Sequence, residues 1–421
     1  MTRDPIQSGK NKKMAESDER EKPVGKVYEF NPTCRIEATV VTGLEHIAKD
    51  ECWSKLGAQP ETARGRIFFE LPVDRVGEVW KLQGIDNLFV VLDTFKDNPL
   101  PASKDDLTPA LTSLVDKVHW VTGLEVWRRL VGGVDKFSLE DFFRQRDGGG
   151  EGDPERRPKF RVTCNRAGQA HKFTSMEAAA IFGGAVNDAF HWGVDMKHFD
   201  LEVVLNIGEE AVYVCLGLTR GSLHHRNLDQ FGPTSLRCTI AYNMLRLCDL
   251  RPGDVVCDPM CGGGSIPIEA AINWPDTITL CGDNHELAVQ RTSANLVALN
   301  DKRTASDEKT GNLPADLLRW DVNRLPLRNG SVDIFVTDLP FGKRMGSRPD
   351  NRTLYPKLLA ELGRVARPRT GKAVLLTQDK KTLSVAVGRT GRLWRQSRVY
   401  GVNVGGLAAG IFVLRRTDAA V

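Results

Sequence analysis

Residues 255–272 read VVCDPMCGGGSIPIEAAI. A short strand ends at Asp258, a loop with three consecutive glycines follows, and an apolar helix opens at Ile266. Glycine lets the backbone pass close to a bound molecule, and the first turn of a helix presents N–H groups with no partner inside the helix. The loop is either a cofactor cradle or a flexible strand-to-helix turn, and its place between strand and helix points to the cradle.

Outward from this stretch, strands recur at 278–283, 317–321, 332–338 and 373–378, with helices between the first five strands. Two more, near 399–404 and 410–414, have no helix between them and should pair as an antiparallel hairpin. This alternation, in units of roughly 20 to 30 residues, predicts a doubly wound α/β sheet. The terminal hairpin is typical of class I methyltransferases rather than dinucleotide oxidoreductases.

Upstream, residues 1–30 mix Lys, Arg, Glu and Asp with almost no large apolar side chains, and such a segment cannot bury enough surface to order itself. Its Lys10, Lys12 and Lys13 are either an import or RNA-contact patch or part of a solvated arm. Strand 36–41, helix 44–56, strand 66–70, helix 73–81 and strand 87–93 then predict a small ferredoxin-like α+β unit. An apolar helix is expected over 109–130, followed by a Gly- and charge-rich loop at 144–159. Strand 160–164, a helix over 176–190 entered at Ser175, and strands 201–207 and 211–218 complete this half, the last two joined by the hairpin turn Gly208-Glu209-Glu210. A polar link at 224–233 leads to a helix starting near Thr234 or Ser235.

At 421 residues the chain has room for two or three domains. No apolar run reaches the roughly 18 residues of a membrane helix, and the N-terminus lacks the apolar core of a signal peptide. A cytoplasmic protein is expected, with the nucleus open through the lysine patch. The nine cysteines have no paired close spacing, so neither a disulfide framework nor a metal site is indicated. A net charge of +4 permits nucleic-acid binding without demanding it.

Asp283 ends the second strand, where a carboxylate can accept hydrogen bonds from both ribose hydroxyls of an adenosine-containing cofactor, the favoured reading; it could also cap the helix that follows, a role that Asn284 could take instead. Asp321 ends the third strand and reads either as an acceptor for an adenine amino group or as a loop cap. Asp338-Leu339-Pro340-Phe341-Gly342 ends the fourth strand and decides between cofactors. An exocyclic amine is a poor nucleophile because its lone pair is delocalised into the ring. The Asp338 carboxylate and a backbone carbonyl near Leu339 or Pro340 can accept its two hydrogens while Phe341 stacks on the base, which raises the nitrogen's reactivity toward a sulfonium methyl group. Alone, the five residues could also be a turn with Phe341 in the core.

Arg166 and His171 could touch phosphate, and Lys343 and Arg344 could hold RNA near the target base; solvated loop charges are the alternative. His224, His225 and Arg226 suit either RNA contact or hinge packing. Trp53, Trp80, Trp120 and Trp127 fall in apolar helical patterns and are expected in the core.

Taken together, DPMCGGGSIPIEAA, CGDNHELAVQRTSANL, VTDLPFGKRMGS, AVLLTQDKK and RVTCNRAGQAHKFTSMEAAAIFG resemble the THUMP-domain-containing methyltransferases, over nearly everything from Ile36 onward. The resemblance implies a ferredoxin-like domain at 31–105 and a THUMP domain at 106–223 that together hold the acceptor-stem end of tRNA. A linker at 224–236 and a Rossmann-like class I methyltransferase domain at 237–421 making N2-methylguanosine would complete the chain. It places S-adenosylmethionine at Asp258, Cys261, Gly262, Gly264, Asp283 and Asp321, and catalysis at Asp338, Pro340 and Phe341. It also implies a small zinc-binding activator subunit on apolar surface of the catalytic domain. Gly263 stands where relatives commonly carry Thr, and Leu339 where many amino-methylases carry Pro; neither change removes an essential acceptor. The competing readings are an RNA-binding scaffold with an inactive methylase domain, and amino-methylation of a small nuclear RNA or of DNA adenine.

Overall fold

The computed structural model describes residues 29–420 apart from 97–99, 102, 133–134, 145, 147–155, 169–170, 233–234, 306–311 and 342–347. The expected tail up to residue 28, most of the 144–159 loop, and Gly342, Lys343 and Arg344 lie outside the described residues.

Alternation of apolar side chains builds the first sheet. Its early elements are β1 (Thr33–Thr39), α1 (Glu45–Leu56), β2 (Glu61–Ala63), β3 (Arg66–Pro72) and β4 (Asn87–Phe95). Cys34, Ile36 and Ala38 turn inward on β1 and Ile67, Phe69 and Leu71 on β3, the period of two that a strand with one covered face requires. The segment Val73–Lys81 is helical as expected but wound as a 3-10 helix.

Next come α2 (Lys104–Lys117), α3 (Trp120–Trp127), α4 (Leu139–Phe143), β5 (Lys159–Arg166), α5 (Ser175–Phe190), β6 (Gly193–Val194), β7 (Leu201–Ile207) and β8 (Val212–Gly217). The single helix expected over 109–130 is broken between α2 and α3. His119 there leaves the helical region at φ −81, ψ 91, with its Nδ1 2.6 Å from Asp93 Oδ2 on β4. A capping box between Thr174 and Glu177 starts α5. β4 pairs antiparallel with β8, so all eight strands form one sheet of order β2-β3-β1-β4-β8-β7-β5-β6.

Trp120 and Trp127 are in the core as expected, but Trp53 and Trp80 are 55% and 41% exposed. On α1 the inward face is Ile47, Ala48, Glu51, Cys52 and Leu56, and Trp53 lies off it, so its apolar neighbours in sequence are not its neighbours in space.

The second half contains α6 (Cys238–Arg246), β9 (Val255–Asp258), α7 (Ser265–Asn273), β10 (Ile278–Asp283), α8 (Glu286–Ala305), β11 (Ala315–Arg319), β12 (Ile334–Asp338), α9 (Arg348–Val365), β13 (Lys372–Thr377), α10 (Lys380–Arg389), β14 (Trp394–Val404) and β15 (Leu407–Arg416). The order is β11-β10-β9-β12-β13-β15-β14, parallel except for the terminal hairpin β14–β15. A helix expected between the third and fourth strands is absent: an Asp321–Arg324 bridge and a turn at Gly330, with φ +63, take its place in a segment broken by Pro326.

Both faces of this sheet are covered. Phe335, Ala373 and Leu375 pack with Tyr355, Leu358 and Leu383 of α9 and α10. Ile334, Val336, Val374 and Leu376 join a core that continues through α6 and α7 into the N-terminal sheet. Polar bonds fix the junction between the halves: Asp86 Oδ1 accepts from Thr239 Oγ1 at 2.7 Å, and Asn243 Nδ2 donates to the Gly84 carbonyl at 2.9 Å. Farther along, the His46 ring stacks on Tyr400 of β14, centroids 4.8 Å apart.

Candidate active site

The carboxyl ends of β9, β10 and β12 converge, as the crevice of a doubly wound sheet requires. Gly262 and Gly264 sit at φ +56 and +88, a region closed to most side chains. At Gly264 a Cβ would also approach Thr292 Cγ2 to 2.9 Å. The loop is held from α8 by two buried donors: Thr292 Oγ1 to the Gly262 carbonyl at 2.9 Å, and Asn295 Nδ2 to the Gly263 carbonyl at 2.9 Å. Asn295 Oδ1 in turn accepts from Asp229 N at 3.1 Å and Gln230 N at 2.7 Å, so one amide ties the interdomain link to the glycine loop.

Asp283 accepts from Gly262 N at 3.1 Å through Oδ2 and from His285 N at 2.9 Å through Oδ1. It therefore holds the turn between β10 and α8, which begins at Glu286, while lying against the cradle. Asp321 Oδ1 is taken by the backbone and side-chain nitrogens of Asn323, at 2.9 and 2.8 Å. Its neighbour Trp320, which sequence reasoning passed over, donates from N to the Asp283 carbonyl at 3.2 Å and from Nε1 to the Pro259 carbonyl at 3.0 Å. A Cβ on Gly282 would lie 2.6 Å from that indole, so the cradle wall is closed by a ring.

Asp258 is buried and accepts from Met260 N at 3.2 Å; burial pushes its carboxyl up to about 7. The Cys261 thiol, hydrogen-bonded to Cys281 and buried, is held well above its usual range and stays protonated. On the neighbouring strand, Asp338 has its Oδ1 buried without a hydrogen-bond partner among the described residues. Burial, reinforced by the charge of Asp258, raises its proton affinity strongly. An orphaned acceptor beside a glycine cradle fits an amine donor.

The Pro340 carbonyl accepts from Tyr355 OH at 2.8 Å and Asn351 Nδ2 at 3.1 Å, which fills both lone pairs. Thr377 Oγ1 lies 2.9 Å from the same hydroxyl and accepts from Asp379 N at 2.9 Å. Tyr355, Asn351 and Thr377 were hidden in sequence by their place among core residues. Phe341 is half-buried against the main core.

The RNA-contact candidates separate. Arg166 NH1 donates to the His171 carbonyl at 3.2 Å, so these two sit together at the end of β5, in the other sheet. Arg226 is committed to the domain junction: it donates to the Gln83 carbonyl at 2.6 Å and pairs with the fully buried Glu269 at 3.1 Å. The His224 and His225 rings meet beside it at a 44° tilt, 3.9 Å between centroids, with His224 half-buried and His225 exposed.

A seven-stranded sheet of this order, with a glycine loop after its first strand and an acidic residue after its second, defines a class I S-adenosylmethionine-dependent methyltransferase. The family described as RMKL-like, methyltransferase domain matches residues 226–409, and the THUMP domain matches 139–216. The tRNA (guanine(6)-N(2))-methyltransferase THUMP3 of Bos taurus is 41% identical over 91% of this chain and 88% of its own. That of Homo sapiens is 41% identical over 91% and 89%. The crystal structure of TrmN from Thermus thermophilus superposes with a TM-score of 0.69 at 25% identity, covering 91% of this chain and 99% of that one. The chain belongs to the THUMP-domain tRNA guanine-N2-methyltransferase family.

Proposed function

We propose that this protein transfers the methyl group of S-adenosylmethionine to the N2 amino group of guanine 6 of tRNA, in the acceptor-stem region, forming N2-methylguanosine. The observation that carries this reading is the buried Oδ1 of Asp338 beside the glycine loop, without a hydrogen-bond partner among the described residues. Bound in that loop, S-adenosylmethionine supplies an electrophilic sulfonium methyl group. Gly262 and Gly264 would admit it, Asp283 would meet its ribose, Asp321 its adenine edge, and Asp258 and Cys261 would line its bed. Asp338 would accept one amine hydrogen and the Leu339 carbonyl the other, because the Pro340 carbonyl already has two donors. Pro340 would then act by fixing the turn and Phe341 by stacking on the base.

In the same reading, residues 31–105 and 106–223 hold the RNA, with Arg166 and His171 among its contacts and Lys343 and Arg344 close to the target base. Residues 224–236 link them to the catalytic domain at 237–421. A small zinc-binding activator subunit would cover the open edge at β11, where Ile278, Leu318 and Val297 of α8 are exposed. No helix is long and apolar enough to cross a membrane among the described residues.

The test is incubation with labelled S-adenosylmethionine and total RNA, with and without the activator, followed by nucleoside mapping. Label in N2-methylguanosine at position 6 of tRNA is expected. Label confined to small nuclear RNA, or cofactor binding with no transfer, would overturn it in favour of another substrate or a scaffold.

A further inference from the structure

Between Lys380 and Arg416 the chain carries eight Lys and Arg and no Asp or Glu, although the whole protein is only +4. These residues make α10, the turn after it and the hairpin β14–β15, so the charge gathers at one edge of the seven-stranded sheet. Arg416 turns inward and donates to the carbonyls of Gly363, Thr417 and Ala419. Arg389, Arg392, Arg395, Arg398 and Arg415 are exposed. No carboxylate lies within ion-pair distance of any of them among the described residues.

Two of these arginines oppose each other. Arg395 and Arg415 are direct cross-strand partners, and like charges in that position destabilise a sheet. A fold under no other demand gains nothing from the pair.

Register ties the surface to the candidate site. Asp338 pairs with Leu376, Leu376 with Ile411 and Ile411 with Tyr400, so the upper end of β14 is level with Asp338. At the start of α10, Asp379 is joined through the Asn351 amide to the Pro340 carbonyl, and Lys380 and Lys381 follow at once. The basic surface thus begins at the lip of the site and runs down α10 for about 15 Å by helix rise, returning along β14.

We infer that α10 and the terminal hairpin form a second RNA surface, on the catalytic domain itself, that grips phosphates of the substrate backbone without reading sequence. This rests on the RNA-methylating reading above. Guanidinium groups suit phosphate because their forked donors pair with two oxygens. Continuity with the site favours the substrate's own backbone over a separate polyanion.

The experiment uses the full chain and a fluorescent tRNA, with binding followed by anisotropy from 50 to 200 mM salt. Arg395→Gln/Arg415→Gln and Arg389→Gln/Arg392→Gln are compared with wild type. Each pair should weaken binding about three- to tenfold and flatten the salt slope by about 1 to 2, as expected for lost phosphate contacts. KM for tRNA should rise with kcat and S-adenosylmethionine affinity unchanged. The Arg395/Arg415 variant should melt at or above the wild-type temperature, which a purely structural role would not produce. Unchanged tRNA affinity and salt slope would overturn the inference, as would arginine-dependent binding to anionic vesicles with RNA binding intact. Binding is read apart from methyl transfer: a wild-type chain that binds tRNA through these arginines yet transfers no methyl group supports this surface and overturns the proposed function alone.

Discussion

The Tyr355 hydroxyl, buried in α9, donates to the Pro340 carbonyl at 2.8 Å, so the backbone after Asp338 is set by a helix from below. Tyr355→Phe keeps the ring and removes only the donor. It should cost about 1 to 2 kcal/mol of stability, the usual range for one buried hydrogen bond. Steady-state kinetics should show kcat down about threefold to tenfold with S-adenosylmethionine affinity unchanged. Loss of cofactor affinity with normal kcat would instead place Tyr355 in the cradle.

Asp338→Ala should fold, bind the cofactor and lose at least about a hundredfold in rate, the lower range for removing a preorganised acceptor. Burial and Asp258 raise the proton affinity of Asp338, and the ionised carboxylate is the stronger acceptor for the amine because its charge offsets the positive charge developing on the nitrogen. The wild-type rate should therefore climb with pH above the usual carboxylate range, while Asp338→Asn, which keeps an uncharged acceptor oxygen, should be slower with a flatter profile. A pH–rate series on both proteins decides this; parallel profiles would remove Asp338 from the chemistry.

Thr292 and Asn295 hold two successive carbonyls of the glycine loop. Thr292→Val preserves shape and removes a donor, so the S-adenosylmethionine Kd should rise about fivefold to tenfold, near 1 kcal/mol for one hydrogen bond. Thr292→Ser should stay close to wild type. Calorimetric titration measures both, and equal affinities for the two variants would refute the assignment.

The ease with which parts of this molecule could be read in advance follows from where their causes lie. β9, β10 and β7 run in the structure over the residues expected, because a short apolar run ended by Asp or Gly is a local signal. The missing helix between β11 and β12, and the break at His119, depend on a turn and on a partner on β4. The site divides in the same way. Asp258, Asp283 and Asp338 were visible as acidic strand ends, whereas Tyr355, Asn295 and Trp320 act from elements that only folding brings close. Arg226 shows the converse: a charge in a polar link looked available, but its partner Glu269 is a buried residue on α7.

Asp258 offers a thermodynamic check on the site. Burial raises its carboxyl from the usual range to about 7, so the folded protein binds a proton more tightly than the unfolded chain. The favourable contribution is present below pH 4 and is lost as pH rises toward 7. Cofactor-free wild type should therefore lose stability relative to Asp258→Asn across that window, by roughly 4 kcal/mol at most for a shift of this size. Urea unfolding of both proteins at several pH values measures the difference. A gap that widens in favour of wild type on raising the pH would contradict the buried, strained carboxylate.

The junction between the two halves can be tested at a single methyl group. Gly43, at φ +102 in the turn after β1, lies so close to β14 that a Cβ would be 2.0 Å from the Gly401 carbonyl. Gly57, at φ +69 at the end of α1, has no neighbour within 4 Å of the same position. Gly57→Ala should therefore cost only the backbone strain of a left-handed residue, about 1 to 2 kcal/mol. Gly43→Ala adds overpacking of roughly 1 to 3 kcal/mol and forces the β1–α1 turn off the hairpin, where His46 stacks on Tyr400 and Asn403 N donates to the Thr42 carbonyl at 3.0 Å. If this contact sets the distance between the N-terminal half and the crevice, Gly43→Ala should raise KM for tRNA several-fold beyond any effect of Gly57→Ala, with S-adenosylmethionine affinity equal in the two. Indistinguishable stabilities and KM values for the pair would mean that the junction yields without consequence, and that some other contact aligns RNA with Asp338.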